Sequence, residues 1–201
     1  MAATTKMQTE SATKKGAAFR TIDLAYMALA VAMLAVCSWI CIPATISFTM
    51  QTFAVFLIVC LLGGRRGTLS VVVYLLLGAV GAPVFAEMSG GIGCLLGPTG
   101  GYLIGFVFSA LVMWAFERFL GKKLWMYAVS MVLALIVCYA FGTAWFMHVY
   151  VGEDGSRAGL VTALSWCVFP YILPDLAKIA LALLIGSNKS LRKVVRNGAS
   201  A

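Results

Sequence analysis

The stretch A-G-L-V-T-A-L-S-W-C-V-F-P-Y-I-L-P-D-L-A-K-I-A-L-A-L-L-I-G-S-N, residues 158–188, holds two ionisable side chains, Asp175 and Lys178, in an otherwise uncharged and largely apolar run. A transmembrane helix needs about 20 predominantly apolar residues, and this run supplies them. An ionisable group inside a span costs on the order of 3 kcal/mol even on the lenient insertion scale, so it is rarely there without a partner or a task. Three residues is nearly one helical turn. Both heads therefore project from one face, where a carboxylate acceptor and an ammonium donor can pair or jointly grip a polar ligand. The competing reading is a structural ion pair between helices. Pro170 and Pro174 set the start of this helix, because a proline in a helix interior costs about 3 kcal/mol. The helix is expected over 173–191 with Pro174 in its first turn, and 159–169 as a short helix at the outer interface. Asp175 then falls in the opening turn, where the helix dipole favours a carboxylate.

The remainder of the chain has the same character. Of 201 residues, 62% are hydrophobic and 11% charged, with a mean hydropathy of +0.99, whereas soluble domains carry about 25% charged residues. Hydropathy and glycine or proline punctuation place six spans, at 22–42, 51–62, 67–80, 99–116, 123–147 and 173–191. The second and third are short for a hydrocarbon core of about 30 Å and must borrow turns from their neighbours. The expected fold is an all-α integral membrane protein of six transmembrane helices, with a glycine-rich re-entrant loop between helices 3 and 4. Residues 1–20 read as a disordered cytoplasmic tail, 21–191 as the membrane domain, and 192–201 as a basic cytoplasmic tail.

Lysine and arginine counts orient the array. The N-terminal tail, Arg65 with Arg66, the 118–123 loop and the 189–196 segment hold nearly all of them, while the opposite loops hold Arg157 with Glu87, Glu153 and Asp154. Both termini are thus expected in the cytoplasm and Asp175 near the outer surface, where a water-soluble compound arrives. The net charge of +8 is spread as topology signals and forms no nucleic-acid patch. Six cysteines lie scattered without a C-x-x-C pair, and the single histidine leaves no mixed metal cluster. No phosphate-cradling G-x-x-x-x-G-K-[ST] occurs. Ser89 with His148 is the one conceivable hydrolytic couple, without a G-x-S-x-G context.

Residues 78–105 are too glycine-rich for a plain helix. Non-helical backbone at membrane depth survives only where protein or a water-filled cavity satisfies it, so this stretch is expected to line a pocket. Gly93, Gly97, Gly101 and Gly105 also recur every four residues, the spacing of close helix packing. Ala25, Ala28, Ala32 and Ala35 make a small-residue stripe on the first helix. Trp39, Trp125, Trp145 and Trp166 fall near span ends, as interfacial anchors do.

Four blocks in order, I-S-F-T-M-Q-T-F at 46–53, L-L-L-G-A-V-G-A-P-V-F-A at 75–86, G-P-T-G-G-Y-L-I-G-F at 97–106 and P-Y-I-L-P-D-L-A-K at 170–178, together resemble BioY, the biotin-specific S-component family of energy-coupling factor transporters. The similarity covers about 22–184. It implies a bacterial cell-membrane protein that captures biotin from outside and works with a transmembrane coupling subunit and two cytoplasmic ATPases. The chain would then hold no cofactor of its own, ATP being used by the partners. By the same resemblance Asp175 and Lys178 contact biotin, and Ala28 and Ala32 dock the coupling subunit. Biotin's ureido ring offers two N–H donors and a carbonyl acceptor, which suit an anion and a cation one turn apart. Its apolar body suits a wall of Phe53, Tyr102 and Trp145. Its carboxylate would seek Thr99, backbone N–H groups of the turn that starts at Gly97, or Lys178. Gln51 and Tyr171 lie in the same blocks and complete the expected set. Glu87 departs from the family pattern, which has a small or amide residue there. Three alternatives stand beside this reading: an S component for another small vitamin, an intramembrane hydrolase using Ser89, and a purely structural partner.

Overall fold

The computed structural model describes residues 21–43, 47–151, 158–188 and 191. Its helices are α1 Thr21–Trp39, α2 Gln51–Leu62, α3 Gly64–Val80, α4 Ile92–Leu96, α5 Gly100–Leu120, α6 Leu124–Val149, α7 Leu160–Cys167 and α8 Phe169–Gly186. A short antiparallel ladder joins β1 Cys41–Ile42 to β2 Phe48–Thr49, and one 3-10 turn covers Ala86–Met88. The fold is all-α in substance. Among the described residues, α1, α5, α6 and α8 are long and apolar enough to cross a membrane. The two tails, the acidic loop with Glu153, Asp154 and Arg157, and Ile46 of the first block lie outside the described residues.

Contacts fix the direction of the helices between two ends. Asp23 of α1 pairs with Arg66 of α3, and Glu117 near the end of α5 accepts the N–H of Gly64 at the start of α3. At the opposite end, Trp39 of α1 donates to the carbonyl of Pro83. α8 runs back toward the first end, where Gly186 abuts Cys60 of α2.

α2 has 12 residues, about 18 Å at 1.5 Å per residue, short of a hydrocarbon core. It is apolar on every side, and from Phe53 to Cys60 every residue is buried. A helix hydrophobic all round sits inside a protein. α2 is thus the central helix, wrapped by α1, α3, α5 and α8. It turns into α3 at Gly63, whose φ of +84° is glycine territory. α3 starts at Gly64, three residues before the expected 67, because the Glu117 carboxylate takes up an N–H that would otherwise be orphaned there.

α5 and α6 pack through the glycines. A Cβ at Gly101 would lie 2.2 Å from Trp145 Cβ, and one at Gly142 only 2.3 Å from Tyr102 Cδ1. Two backbones approach this closely only where side chains are missing. Gly101 and Gly105 are thus packing positions, the latter against Cys138.

The last helix differs most from expectation. α8 starts at Phe169, not 173, with Pro170 in its first turn, where the lost N–H is an orphan anyway, and Pro174 within the helix. The amides of Tyr171 and Ile172 both bond back to Val168 O, so the turn is anchored before Pro174 breaks one bond of the ladder. Asp175 consequently lies beyond the opening turn. Its carboxylate is satisfied by side chains, not by helix-end N–H groups.

Candidate functional site

A cavity of about 410 Å³ opens at the end where α1 finishes and α8 begins, within the usual range for small-molecule sites. Three of the long helices, α5, α6 and α8, each present one face to it. Tyr171, Asp175 and Lys178 recur at i, i+4 and i+7 on α8, Tyr102 and Phe106 at i and i+4 on α5, and Leu135, Cys138 and Tyr139 on α6. The walls between come from the segments that join the long helices: 47–49 with β2 ahead of α2, 85–89 with the 3-10 turn after α3, and Gly93 and Cys94 of α4 with 97–99 ahead of α5.

Asp175 and Lys178 are 4% and 5% exposed, so both charges sit out of water. Lys178 Nζ donates to Asp175 Oδ1 at 2.7 Å and to the backbone carbonyl of Thr49 at 2.6 Å. It also stands 3.9 Å from the centroid of the Phe48 ring, a cation–π distance. Tyr139 donates to the other carboxylate oxygen, Oδ2. An ammonium has three donors and a carboxylate about four lone-pair positions. A lone pair on each Asp175 oxygen is thus not taken by a hydrogen bond, and neither is the third N–H of Lys178, whose ammonium also contacts the Phe48 ring. The Phe48 ring stacks on Tyr171 at 6.1 Å, giving the pair an aromatic flank.

The other expected residues divide. Gln51, Gly97, Thr99, Tyr102 and Tyr171 line the cavity with Asp175 and Lys178. Phe53 and Trp145 do not: Phe53 is in the core, and Trp145 lies behind the wall, its indole N–H donating to Gly97 O at 3.0 Å. Helical phase explains Phe53, which lies two residues past Gln51 and so points about 200° away from it. Gln51 faces the cavity, but its amide is occupied by protein, donating to Tyr74 and accepting from Thr49. Tyr102 bonds to Thr143 at 3.1 Å, which fixes its ring against the cavity. Phe48, Thr49 and Tyr139 were not singled out from sequence. Phe48 belongs to the I-S-F-T block, and a tyrosine in the middle of an apolar span was the available signal for Tyr139.

Glu87 is exposed at the cavity rim, with φ of +57°, and accepts a hydrogen bond from Ser47 at 2.9 Å. Ser89 donates to the carbonyl of Ala86, and His148 is not among the cavity-lining residues, so the hydrolytic couple is not assembled there. Ala28 and Ala32 lie on the exposed face of α1, whereas Ala35 is buried.

The model of the BioY family matches residues 7–197. The chain belongs to the BioY family. It is 40% identical over 155 residues to the biotin transporter BioY of Thermotoga maritima, covering 77% of this chain and 87% of that protein. It is 36% identical to the probable biotin transporter BioY of Pyrococcus horikoshii, over 81% and 93% of the two chains. Among solved structures, the S-component for biotin from an ECF-type ABC transporter superposes with a TM-score of 0.72 at 25% identity, over 87% of this chain and 90% of that one. BioY relatives are transporter components, and the apolar helices make this chain a multi-pass membrane protein.

Proposed function

We propose that this chain is the biotin-capturing S component of an energy-coupling factor transporter. The observation that carries the proposal is the buried Asp175–Lys178 pair facing the cavity with unspent hydrogen-bonding capacity, in a chain of the BioY family. Biotin's cyclic urea needs an acceptor for its N–H groups and a donor for its carbonyl, and the two side chains offer one each. Its apolar body fits against Phe48, Tyr171 and Phe106, and its carboxylate end toward Thr99 and the turn at Gly97. No cofactor is required of the chain, since binding involves no bond making.

In this reading α1, α2, α3, α5, α6 and α8 are six spans. α2 and α3 are completed by adjoining backbone, and 81–99 dips back into the protein as a re-entrant loop. The basic end faces the cytoplasm with both termini, and the cavity faces outward in the cell membrane. The exposed Ala28 and Ala32 on α1 receive the coupling subunit, which links the chain to two ATPases.

Equilibrium binding of labelled biotin to the purified chain tests the capture step. Asp175→Asn and Lys178→Ala are each expected to weaken it about a hundredfold or more, as loss of one partner of a buried charged pair does. Full affinity in both variants rejects the site, and displacement by thiamine or riboflavin in place of biotin reassigns the vitamin. Ala28→Leu with Ala32→Leu is expected to abolish co-purification with the coupling subunit while biotin affinity stays at the wild-type value. Equal loss of both would remove α1 as the docking face.

A further inference from the structure

A series of hydrogen bonds ties the Lys178 ammonium, by way of the cavity wall, to a residue outside the cavity. The ammonium is held by the carbonyl of Thr49, and Thr49 is itself tethered: its hydroxyl donates to Gln51 Oε1 at 2.8 Å. The amide of Gln51 then donates to the Tyr74 hydroxyl at 2.6 Å, and Tyr74 donates onward to the carbonyl of Val84 at 2.8 Å. Tyr74 is fully buried on α3, is not among the cavity-lining residues, and has its ring fixed edge-on against Phe85. Val84 O is fixed in turn by Ser38 of α1 at 2.6 Å, next to the Trp39 bond to Pro83 O. Every polar group in this series has a named partner, and buried groups so satisfied hold a single arrangement.

We propose that Tyr74 is a positioning residue for ligand binding, acting through Gln51 and the Thr49 carbonyl to orient the Lys178 ammonium toward the cavity. The proposal rests on the capture reading given above and adds to it a residue that touches no ligand. Removing the Tyr74 hydroxyl leaves Gln51 Nε2 buried without its acceptor, while Val84 O keeps Ser38. The freed amide then competes for other acceptors, and the Thr49 tether slackens.

The test uses the full chain with ¹⁵N-labelled lysine. The Lys178 Nζ resonance is identified by its loss in Lys178→Arg and is followed without ligand, alongside labelled-biotin affinity. Tyr74→Phe is expected to shift the Lys178 resonance and weaken biotin about tenfold, the scale of one orphaned buried hydrogen-bonding group. Ser109→Ala also removes a buried bond, to Ala134 O between α5 and α6, but touches no member of the series. It should lower thermal stability while leaving the resonance and the affinity in place. An unmoved Lys178 resonance in Tyr74→Phe overturns the proposal, as does an equal shift in Ser109→Ala. Should Tyr74→Phe not fold, Gln51→Met breaks the same link, and its Lys178 resonance decides in the same way. Because the resonance is read without ligand, a wild-type chain that binds no biotin would sink the capture reading alone.

Discussion

At one end of the helix array Asp23 meets Arg66 at 3.0 Å and Glu117 meets Lys122 at 2.7 Å; at the other, Asp175 meets Lys178 at 2.7 Å. The distances are alike and the surroundings are not. The Lys122 side chain is 49% exposed and that of Lys178 only 5%. Glu117, at 8%, is nearly as sheltered as Asp175, but its exposed cation keeps most of its hydration. The attraction between them is thus closer to that of a surface pair, roughly 0–1 kcal/mol. Two charges taken out of water lose several kcal/mol of hydration apiece, which their mutual attraction recovers only with good geometry and further hydrogen bonds. Tyr139 and Thr49 supply those bonds. A pair so expensive to bury is a poor device for stability and a good one for recognition, since its remaining donor and acceptors act in a medium where they are strong.

The contrast is broken most directly at Lys178. Lys178→Met strands the Asp175 carboxylate and is expected to lower stability by about 3–5 kcal/mol and abolish biotin binding. Adding Asp175→Leu should return the unfolding temperature to near the wild-type value, because a buried pair can often be exchanged for apolar side chains without loss. Binding should not return. Recovery of both in the double variant would make the pair a packing feature only.

Packing gives a sharper comparison, because it is equally tight at the two ends. Gly101→Ala would place its Cβ 2.2 Å from Trp145 Cβ, and Gly64→Ala 2.6 Å from Trp114 Cβ. Each is expected to cost about 1–3 kcal/mol in thermal unfolding. Only Gly101→Ala should also weaken biotin binding, since Trp145 holds the Gly97 carbonyl at the cavity wall. A matching loss of affinity in Gly64→Ala would mean that the two ends are not mechanically separate. The smallest effect is expected at Lys122→Ala, a change of about 0–1 kcal/mol that shrinks further with added salt and leaves affinity untouched.

Much of this was legible in the sequence for reasons that also explain what was not. The Asp175–Lys178 spacing required only that the segment be helical, and it is. Of the four glycines spaced by four residues, Gly101 and Gly105 pack against α6 as the spacing implied. A Cβ at Gly93, by contrast, would meet open space, because that part of the repeat lies in the short α4 and not on a helix face with a neighbour. Pro174 misled because a propensity describes an isolated helix, while the Val168 carbonyl anchors the turn ahead of it. Phe53 misled because α2 is buried all round, so apolar periodicity carries no phase from which to pick the cavity face. The partners of the charged pair, Thr49 through its backbone and Tyr139 through its hydroxyl, belong to distant segments that only the folded chain brings together.

That distance has a consequence for biogenesis. The bond from Lys178 to Thr49 joins residues 129 positions apart, and the Tyr139 bond also waits on α8. A ribosome delivering this chain into the bilayer would therefore complete every other wall before the receptor exists. Nascent chains halted before residue 169 should insert yet capture no vitamin, which makes ligand capture a late checkpoint that reports a fully assembled subunit.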